Sequence, residues 1–116
     1  MPESARESVI LNEIRLGLAD RCTLLRNQAG VYRVGNRMIR SGLAPGGSDL
    51  IGWTVIDGLA VFTAIEVKRT GGRVTQAQNN FLTAVNGAGG IAFVARSVDQ
   101  AVDLLEQAVA DKKKRL

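Results

Sequence analysis

The 116-residue sequence contains no histidine, a single cysteine and few aromatic side chains. Without histidine, a protein has no imidazole to act as a general base, to activate a serine or cysteine nucleophile, or to bind zinc. The lone Cys22 can form neither an intramolecular disulfide nor a multi-thiolate metal site. These absences exclude histidine-dependent hydrolases and predict a reduced, cytoplasmic protein.

Long apolar runs are also absent, so we expect no membrane-spanning helix. The N-terminal segment carries Glu3, Arg6 and Glu7 instead of a basic region followed by an apolar block, which excludes a signal peptide. Hydrophobic residues make up 46 % of the chain, which is enough for a packed core. The length predicts a single domain over residues 1–116.

The positive charge is concentrated at the C-terminus. The formal net charge is +4, and Lys112, Lys113, Lys114 and Arg115 supply four of the fifteen basic residues. A basic tail at 111–116 is typical of a solvated helix end, and the alternative is a phosphate-binding element. Overall charge is therefore weak support for a nucleic-acid partner.

The first predicted helix covers about residues 5–20. Ser4 and Glu7 have the spacing of a capping box, and an apolar stripe follows at helical intervals: Val9, Ile10, Ile14 and Leu18. Glu13 falls on this stripe, where a bare carboxylate is costly to bury. Glu13 is therefore either a metal ligand or a residue at the edge of the stripe that pairs with a basic neighbour.

The middle of the chain predicts strands and glycine-rich turns. Residues 22–27 and 31–34 are expected to form a hairpin around the turn at 28–30. The loop at 41–48 is rich in glycine but lacks the Gly-Lys-Ser/Thr ending of a phosphate-binding P-loop, so we expect no nucleotide cofactor. Asp57-Gly58, between β-prone runs at 49–56 and 59–68, predicts a type I′ hairpin.

The last third of the chain predicts helix, strand and helix. Thr75 and Gln78 have capping-box spacing before a helix that ends near Val85, with Gln78 directed toward the sheet. The apolar run at 91–95 fits a buried parallel strand, and a final helix begins after Ser97. The pattern predicts an α/β fold with a central mixed β-sheet flanked by α-helices.

The hairpin register brings charged residues together. If Ile56 faces Leu59 across the turn, Asp49 lies opposite Glu66, and Lys68 projects from the same face. Opposed carboxylates repel, so this arrangement favours a bound cation, and oxygen ligands select Mg²⁺ or Mn²⁺. The alternative is that Asp49 lies in a loop while Glu66 and Lys68 are solvated at a strand end.

Aromatic residues give little sign of a base-stacking surface. Trp53 and Phe62 share the predicted face with Ile51 and Ala64, and we expect both aromatic side chains in the core. Base stacking on single strands is then not expected. Basic residues that could contact a DNA backbone flank the acidic pair in the sequence, at Arg26, Arg33, Arg37, Arg40, Arg69 and Arg73.

Three segments, in this order along the chain, resemble the motifs of a known protein family. They are Gly-Ser-Asp-Leu at 47–50, Ile-Glu-Val-Lys at 65–68, and Gly-Arg-Val-Thr at 72–75 leading to Gln78. This set resembles the PD-(D/E)XK nuclease superfamily and, more narrowly, the virus-type replication-repair nuclease (VRR-NUC) domain, from about Glu13 through Ser97. Ser48 stands where the superfamily name places proline.

The resemblance implies a restriction-endonuclease-like core and a role for each matched residue. Asp49 and Glu66 would bind Mg²⁺ or Mn²⁺ with the backbone carbonyl of Val67, and Glu13 would be the acidic residue of the first helix. Lys68 would orient or activate the attacking water and stabilise negative charge on the phosphate. Gln78 would support the site from its helix.

Residues and resemblance together predict a divalent-metal-dependent endodeoxyribonuclease. Metal-dependent hydrolysis of a phosphodiester requires no histidine. We expect a homodimer that cuts branched DNA, such as a four-way (Holliday) junction, in the cytoplasm of a bacterium or of a phage-infected host cell. Two alternatives remain: a nuclease for ordinary duplex DNA, and a non-catalytic DNA-binding module that retains the fold.

Overall fold

The computed structural model describes residues 3–27, 30–41 and 46–115. Four strands form one sheet in the order β1-β4-β5-β6, and β2 and β3 form a separate two-stranded sheet. The elements are α1 (Glu3–Gly17), β1 (Thr23–Arg26), β2 (Gly30–Val34), β3 (Arg37–Ser41), β4 (Leu50–Ile56), β5 (Leu59–Val67), α2 (Gln76–Gly87), β6 (Ile91–Ala95) and α3 (Val98–Arg115). The predicted α/β fold with a mixed sheet and a restriction-endonuclease-like core is confirmed.

The β4–β5 hairpin has the predicted turn and register. Asp57 and Gly58 take positive φ angles of 49° and 81°, as the two central residues of a type I′ turn require. The antiparallel ladder runs from Ile56 opposite Leu59 to Leu50 opposite Ile65. Asp49 lies one residue before β4, and this register sets it beside Glu66.

Helices cover both faces of the main sheet. Strand β6 pairs in parallel with β5, and α2 connects these two strands. α1 and α3 pack on the face that contains Leu50, Ile65 and Val67. α2 packs through Leu82 on the other face, which contains Ala64 and Ala92. Since side chains alternate along a strand, Glu66 belongs to the α2 face.

The predicted hairpin between residues 22–27 and 31–34 is wrong. β1 pairs with β4 in the main sheet, whereas β2 pairs with β3. Gly52 permits the β1–β4 contact, because a Cβ there would lie 1.8 Å from the carbonyl oxygen of Thr23. Gly35, with a φ of 61°, forms the β2–β3 turn that the sequence reading missed. The predicted turn residues 28 and 29, and positions 42–45 of the predicted loop, lie outside the described residues.

The predicted apolar stripe of the first helix is confirmed at Ile10, Ile14 and Leu18 and is wrong at Val9. The helix begins at Glu3 among the described residues, so Ser4 lies inside it and not at its cap. Leu11 and Ile14 of the helix and Leu18 directly after it are buried, whereas Val9 and Glu13 are exposed. Because Val9 was counted among the buried residues, the predicted buried face of the helix included Glu13. In the structure Glu13 faces solvent.

The predictions for α2 and α3 are confirmed. Thr75 caps α2, and its capping box with Gln78 is complete on both sides. α3 starts after Ser97, whose Oγ accepts a hydrogen bond from the amide of Gln100 at 3.1 Å. It buries Ala101 and Leu105 and continues in helical form to Arg115, which makes most of the basic tail part of a helix.

The predicted core positions of Trp53 and Phe62 are wrong. Their exposed fractions are 42 % and 44 %, although they face each other across β4 and β5. Both lie on the α2 face, and α2 packs mainly against β5 and β6. No helix in the described part of the chain is long and apolar enough to cross a membrane.

Candidate active site

Backbone hydrogen bonds from two strands fix the position of Asp49. Its Oδ2 accepts a hydrogen bond from the amide of Val67 at 2.9 Å. Its own carbonyl accepts one from the amide of Asn27 at 2.8 Å. The Asn27 side chain also donates to the carbonyl of Ser48 at 3.0 Å. Asp49 is therefore held at the end of the β4–β5 ladder with its carboxylate over β5.

The loop before Asp49 passes close to α2, and this contact helps to place Asp49. Gly46 has a φ of +83°, and a Cβ there would lie 2.3 Å from the carbonyl oxygen of Ala77. Only glycine combines this backbone angle with this proximity. The loop therefore passes directly against the first turn of α2 before it reaches Asp49.

Glu66 is the most deeply buried ionisable side chain of the site. Its exposed fraction is 2 %. Its Oε1 accepts a hydrogen bond from Gln78 Nε2 at 3.0 Å, and Lys68 Nζ lies 3.8 Å from the same oxygen. Its Oε2 is buried and accepts no hydrogen bond. Glu66 thus has one satisfied oxygen and one buried oxygen without a donor.

Lys68 follows on the same face of the sheet. Its side chain is 13 % exposed, and its amide donates to the carbonyl of Ala95 at 3.1 Å, which extends the β5–β6 pairing by one residue. Between the two charged residues, Val67 packs its side chain in the core. The structure therefore brings Asp49, Glu66 and Lys68 together, as the register predicts.

Gln78 links the start of α2 to the buried carboxylate. Its Oε1 accepts from the amide of Thr75 at 2.9 Å, while its Nε2 donates to Glu66 Oε1. One side chain therefore completes the cap of α2 and orients Glu66. This position agrees with the direction expected from the sequence.

We expect Gln78→Ala to destabilise the fold and to slow any chemistry that depends on Glu66. The variant loses half of the capping box and a hydrogen bond to a buried carboxylate, at a cost of about 1 to 3 kcal/mol. Urea unfolding measures this change. Gln76→Ala is the matched control, because the Gln76 side chain bonds to Asn80 on the exposed side of the same helix. Equal effects of the two substitutions would contradict the linking role.

Burial and a second carboxylate raise the pKa of Glu66 to about 8. The largest cause is desolvation, followed by the charge of Asp49 and a hydrogen bond to Asp49 that only protonated Glu66 can donate. Lys68 opposes this shift without cancelling it. In the absence of a cation, Glu66 therefore keeps a proton at neutral pH.

This proton makes stability depend on pH. Between about pH 4.5 and 8 the native state binds a proton that the unfolded chain has lost, so the free energy of unfolding falls as pH rises through this window. We expect urea unfolding in EDTA to show this fall for the natural sequence and a flatter profile for Glu66→Gln. Identical slopes in the two proteins would contradict the raised pKa.

The acidic residue of α1 that approaches the site is Glu7. Its Oε2 accepts from the amide of Arg69 at 3.4 Å, and its charge contributes to the raised pKa of Glu66. Glu13, which the sequence reading placed here, is exposed. The signal that was missed is the helical spacing of Glu7 from the buried residues Leu11 and Ile14.

Arg96 holds the turn that follows Lys68. Its Nη1 donates to the carbonyl oxygens of Arg69 and Gly72, both at 2.8 Å. The amide of Gly72 closes the turn by donating to the carbonyl of Arg69 at 3.0 Å. The sequence reading missed this contact, since Arg96 is 24 and 27 residues away from its partners.

The predicted basic residues lie in two places. Arg26 ends β1 next to the strand of Asp49, and Arg69 and Arg73 belong to the segment after Lys68. Arg37 and Arg40 belong to β3, in the separate two-stranded sheet, and the side chain of Arg40 lies outside the described part of the structure. Arg26, Arg37 and Arg73 are exposed, and no ion pair among the described residues includes them.

The donor set fits a hard divalent cation. A buried carboxylate oxygen without a donor needs either a proton or a cation, and Glu66 Oε2 is such an oxygen beside Asp49. Within the described residues no group of three or more acidic or cysteine side chains could hold a metal. Mg²⁺ commonly binds through one or two carboxylates and completes its shell with water and phosphate oxygens.

Comparison with known proteins agrees with this geometry. The VRR-NUC domain model matches residues 24–99, from β1 to the first turn of α3. The match includes Asp49, Glu66, Lys68 and Gln78 and excludes α1. A search of curated proteins finds no significant match. Since the matched segment is well over half of the chain and contains the whole acidic site, the chain belongs to the VRR-NUC family of PD-(D/E)XK nucleases.

Proposed function

We propose that this chain is a Mg²⁺- or Mn²⁺-dependent DNA endonuclease. The family implies a nuclease with a DNA substrate. The observation that carries the metal dependence is Glu66 Oε2, which is buried beside Asp49 without a hydrogen-bond donor. A cation between the two carboxylates relieves both their repulsion and this missing contact.

Each residue of the site has a separate task. Asp49 and Glu66 would hold the cation together with the backbone carbonyl of Val67. When bound, the cation lowers the pKa of a water molecule and neutralises charge on the phosphate. Lys68 places a positive charge 3.8 Å from Glu66 Oε1, where it stabilises the negative charge that develops on the phosphate. Gln78 keeps Glu66 in position.

The proposed substrate is branched DNA, cut by a homodimer. Exposed arginines that precede and follow the acidic pair in the sequence, Arg26 and Arg73, suit contacts with a phosphate backbone, which give affinity without sequence preference. A domain of this size has little surface with which to grip a duplex. Two copies would present two sites, one for each of two strands.

A panel of end-labelled DNA substrates tests this proposal. We expect cleavage of a four-way junction in Mg²⁺ or Mn²⁺, with linear duplex of the same sequences cut more slowly. Equal rates on all substrates would support a nuclease for ordinary duplex. Binding of DNA without cleavage in either cation would support a non-catalytic module and refute the proposal.

Two glutamates of α1 provide a matched pair. We expect Glu7→Gln to lower the cleavage rate by about 10-fold, because the negative charge of Glu7 acts at Glu66 and would add to the attraction of the site for a cation. Glu13→Gln should leave the rate unchanged, since Glu13 is exposed. Single-turnover cleavage measures both. A larger loss from Glu13→Gln than from Glu7→Gln would contradict the placement of α1.

A further inference from the structure

Strands β2 and β3 form a two-stranded ribbon that is separate from the main sheet. They pair along residues 30–41 around a two-residue turn at Gly35 and Asn36. Among the described elements, the two strands pack chiefly against each other. A lone hairpin is only marginally stable in water, so the ribbon gains stability from a partner that covers it. We call residues 30–41 the β-ribbon.

The β-ribbon lies in a stretch of the chain whose charge has one sign. Residues 21–48 contain five arginines and none of the eleven acidic residues. Three of these arginines belong to the β-ribbon: Arg33, Arg37 and Arg40. The rest of the chain carries ten basic and eleven acidic residues, so its charges nearly cancel. The stretch that contains the β-ribbon is therefore complementary to a polyanion such as DNA.

Both ends of the β-ribbon connect to the candidate active site. β2 begins three residues after Asn27, whose amide donates to the carbonyl of Asp49. β3 ends five residues before Gly46, which lies against the first turn of α2. Three extended residues span at most about 11 Å, and a five-residue strand spans about 17 Å. The whole β-ribbon therefore lies within about 35 Å of Asp49, which is one helical turn of B-DNA.

The width and the exposed side chains of the β-ribbon fit the major groove of DNA. This groove is about 12 Å wide and admits a two-stranded ribbon, whereas the minor groove is about 6 Å wide. Beside the turn, Arg37 is exposed, as are Val34 at 59 % and Met38 at 66 %. Apolar side chains contact thymine methyl groups in the major groove, and arginine binds guanine or phosphate. The exposed set thus suits the groove and its phosphate walls.

We propose that the β-ribbon enters the major groove of a DNA arm next to the cleaved phosphodiester. This inference rests on the DNA substrate of the proposed function and names the element that grips it. Arg37 and Met38 meet the groove, while Asn27 and Gly46 hold the base of the β-ribbon at the site. The small domain thereby gains a contact with duplex DNA beyond the site itself.

Binding of a labelled four-way junction in EDTA measures this contact without cleavage. We expect Arg37→Gln to weaken binding at least about 5-fold and to reduce the slope of log K against log salt by about 0.9, because one cation is lost. Met38→Glu should weaken binding at least about 10-fold, since it places a negative charge among phosphates. Arg15→Gln should bind normally and is the matched control, because Arg15 is an exposed arginine in the last turn of α1.

Dimethyl sulfate footprinting identifies the groove that the β-ribbon occupies. The reagent methylates guanine N7, which lies in the major groove, and adenine N3, which lies in the minor groove. We expect the natural sequence to protect guanine N7 within about ten base pairs of the branch point. Met38→Glu should lose this protection at a concentration that saturates the junction, and Arg15→Gln should keep it.

The outcomes separate this inference from the nuclease activity. Weaker binding and lost guanine protection in the β-ribbon variants, with unchanged circular dichroism, support it even if the natural sequence never cuts the junction. Unchanged binding by both variants overturns it and leaves the nuclease proposal standing. Protection of adenine N3 alone overturns it, because the β-ribbon would then lie in the minor groove. A changed sedimentation coefficient of the DNA-free variants also overturns it, because the β-ribbon would then join protein copies.

Discussion

We expect the replacement of Glu66 with glutamine to abolish DNA cleavage and to leave the fold intact. Glutamine keeps an oxygen that can accept the hydrogen bond from Gln78 but removes the negative charge that would bind the cation beside Asp49. We expect the single-turnover rate to fall at least about 100-fold, the range seen when a group that stabilises charge in a transition state is removed. Rates at saturating Mg²⁺ measure this loss.

A control on the surface separates this effect from a general effect of losing charge. Glu106 is exposed on α3 and pairs with Arg21, so Glu106→Gln should cut DNA at the natural rate. The Glu66→Gln variant should also unfold at higher urea than the natural sequence at pH 9 in EDTA, because it no longer buries a carboxylate whose pKa is about 8. Undiminished cleavage by Glu66→Gln would place the chemistry elsewhere.

We expect the replacement of Lys68 with methionine to lower the cleavage rate as strongly but to leave metal binding largely intact. Methionine keeps most of the apolar stem but removes the ammonium group 3.8 Å from Glu66 Oε1. We expect the rate at saturating cation to fall at least about 100-fold. Both carboxylates remain, so the rise in melting temperature on adding Mn²⁺ should persist, whereas Glu66→Gln should lose most of it.

Lys68→Arg tests whether charge alone is sufficient. The guanidinium is planar and larger than an ammonium group, and the Lys68 side chain is mostly buried, so we expect little rescue. Full cleavage by Lys68→Met, which has no positive charge at position 68, would exclude the proposed role of Lys68. Loss of the Mn²⁺ response in Lys68→Met would instead make Lys68 part of the metal-binding structure.

The local turn chemistry made the acidic pair predictable. Asp57-Gly58 has one favoured turn type, and this turn fixes the register of both strands as far as Asp49 and Glu66. The capping box of Thr75 similarly fixes the direction of Gln78, because the first turn of the helix can place it on only one side. Both inferences depend on neighbours in sequence, and for this reason they hold in the folded chain.

Features that depend on distant contacts were not predictable. Glu7 was missed because Val9, an exposed apolar residue, was counted in the buried stripe of α1. Trp53 and Phe62 were expected in the core because they share a face with apolar residues. The alternation of side chains along a strand predicts the face on which a residue lies, but it does not predict whether another element covers that face. The pairing of β1 with β4, and the contact of Arg96 with the turn after Lys68, join segments more than 20 residues apart.

The most direct test of the proposed function is the Mg²⁺-dependent cleavage of a labelled four-way junction by the natural sequence and by Asp49→Asn. We expect cleavage by the natural sequence in Mg²⁺ and none in EDTA. We also expect a rate at least about 100-fold lower for Asp49→Asn, which keeps a side-chain oxygen for the amide of Val67 but loses the charge. Equal rates for the two proteins, or equal cleavage in EDTA, would contradict the proposed metal-dependent site.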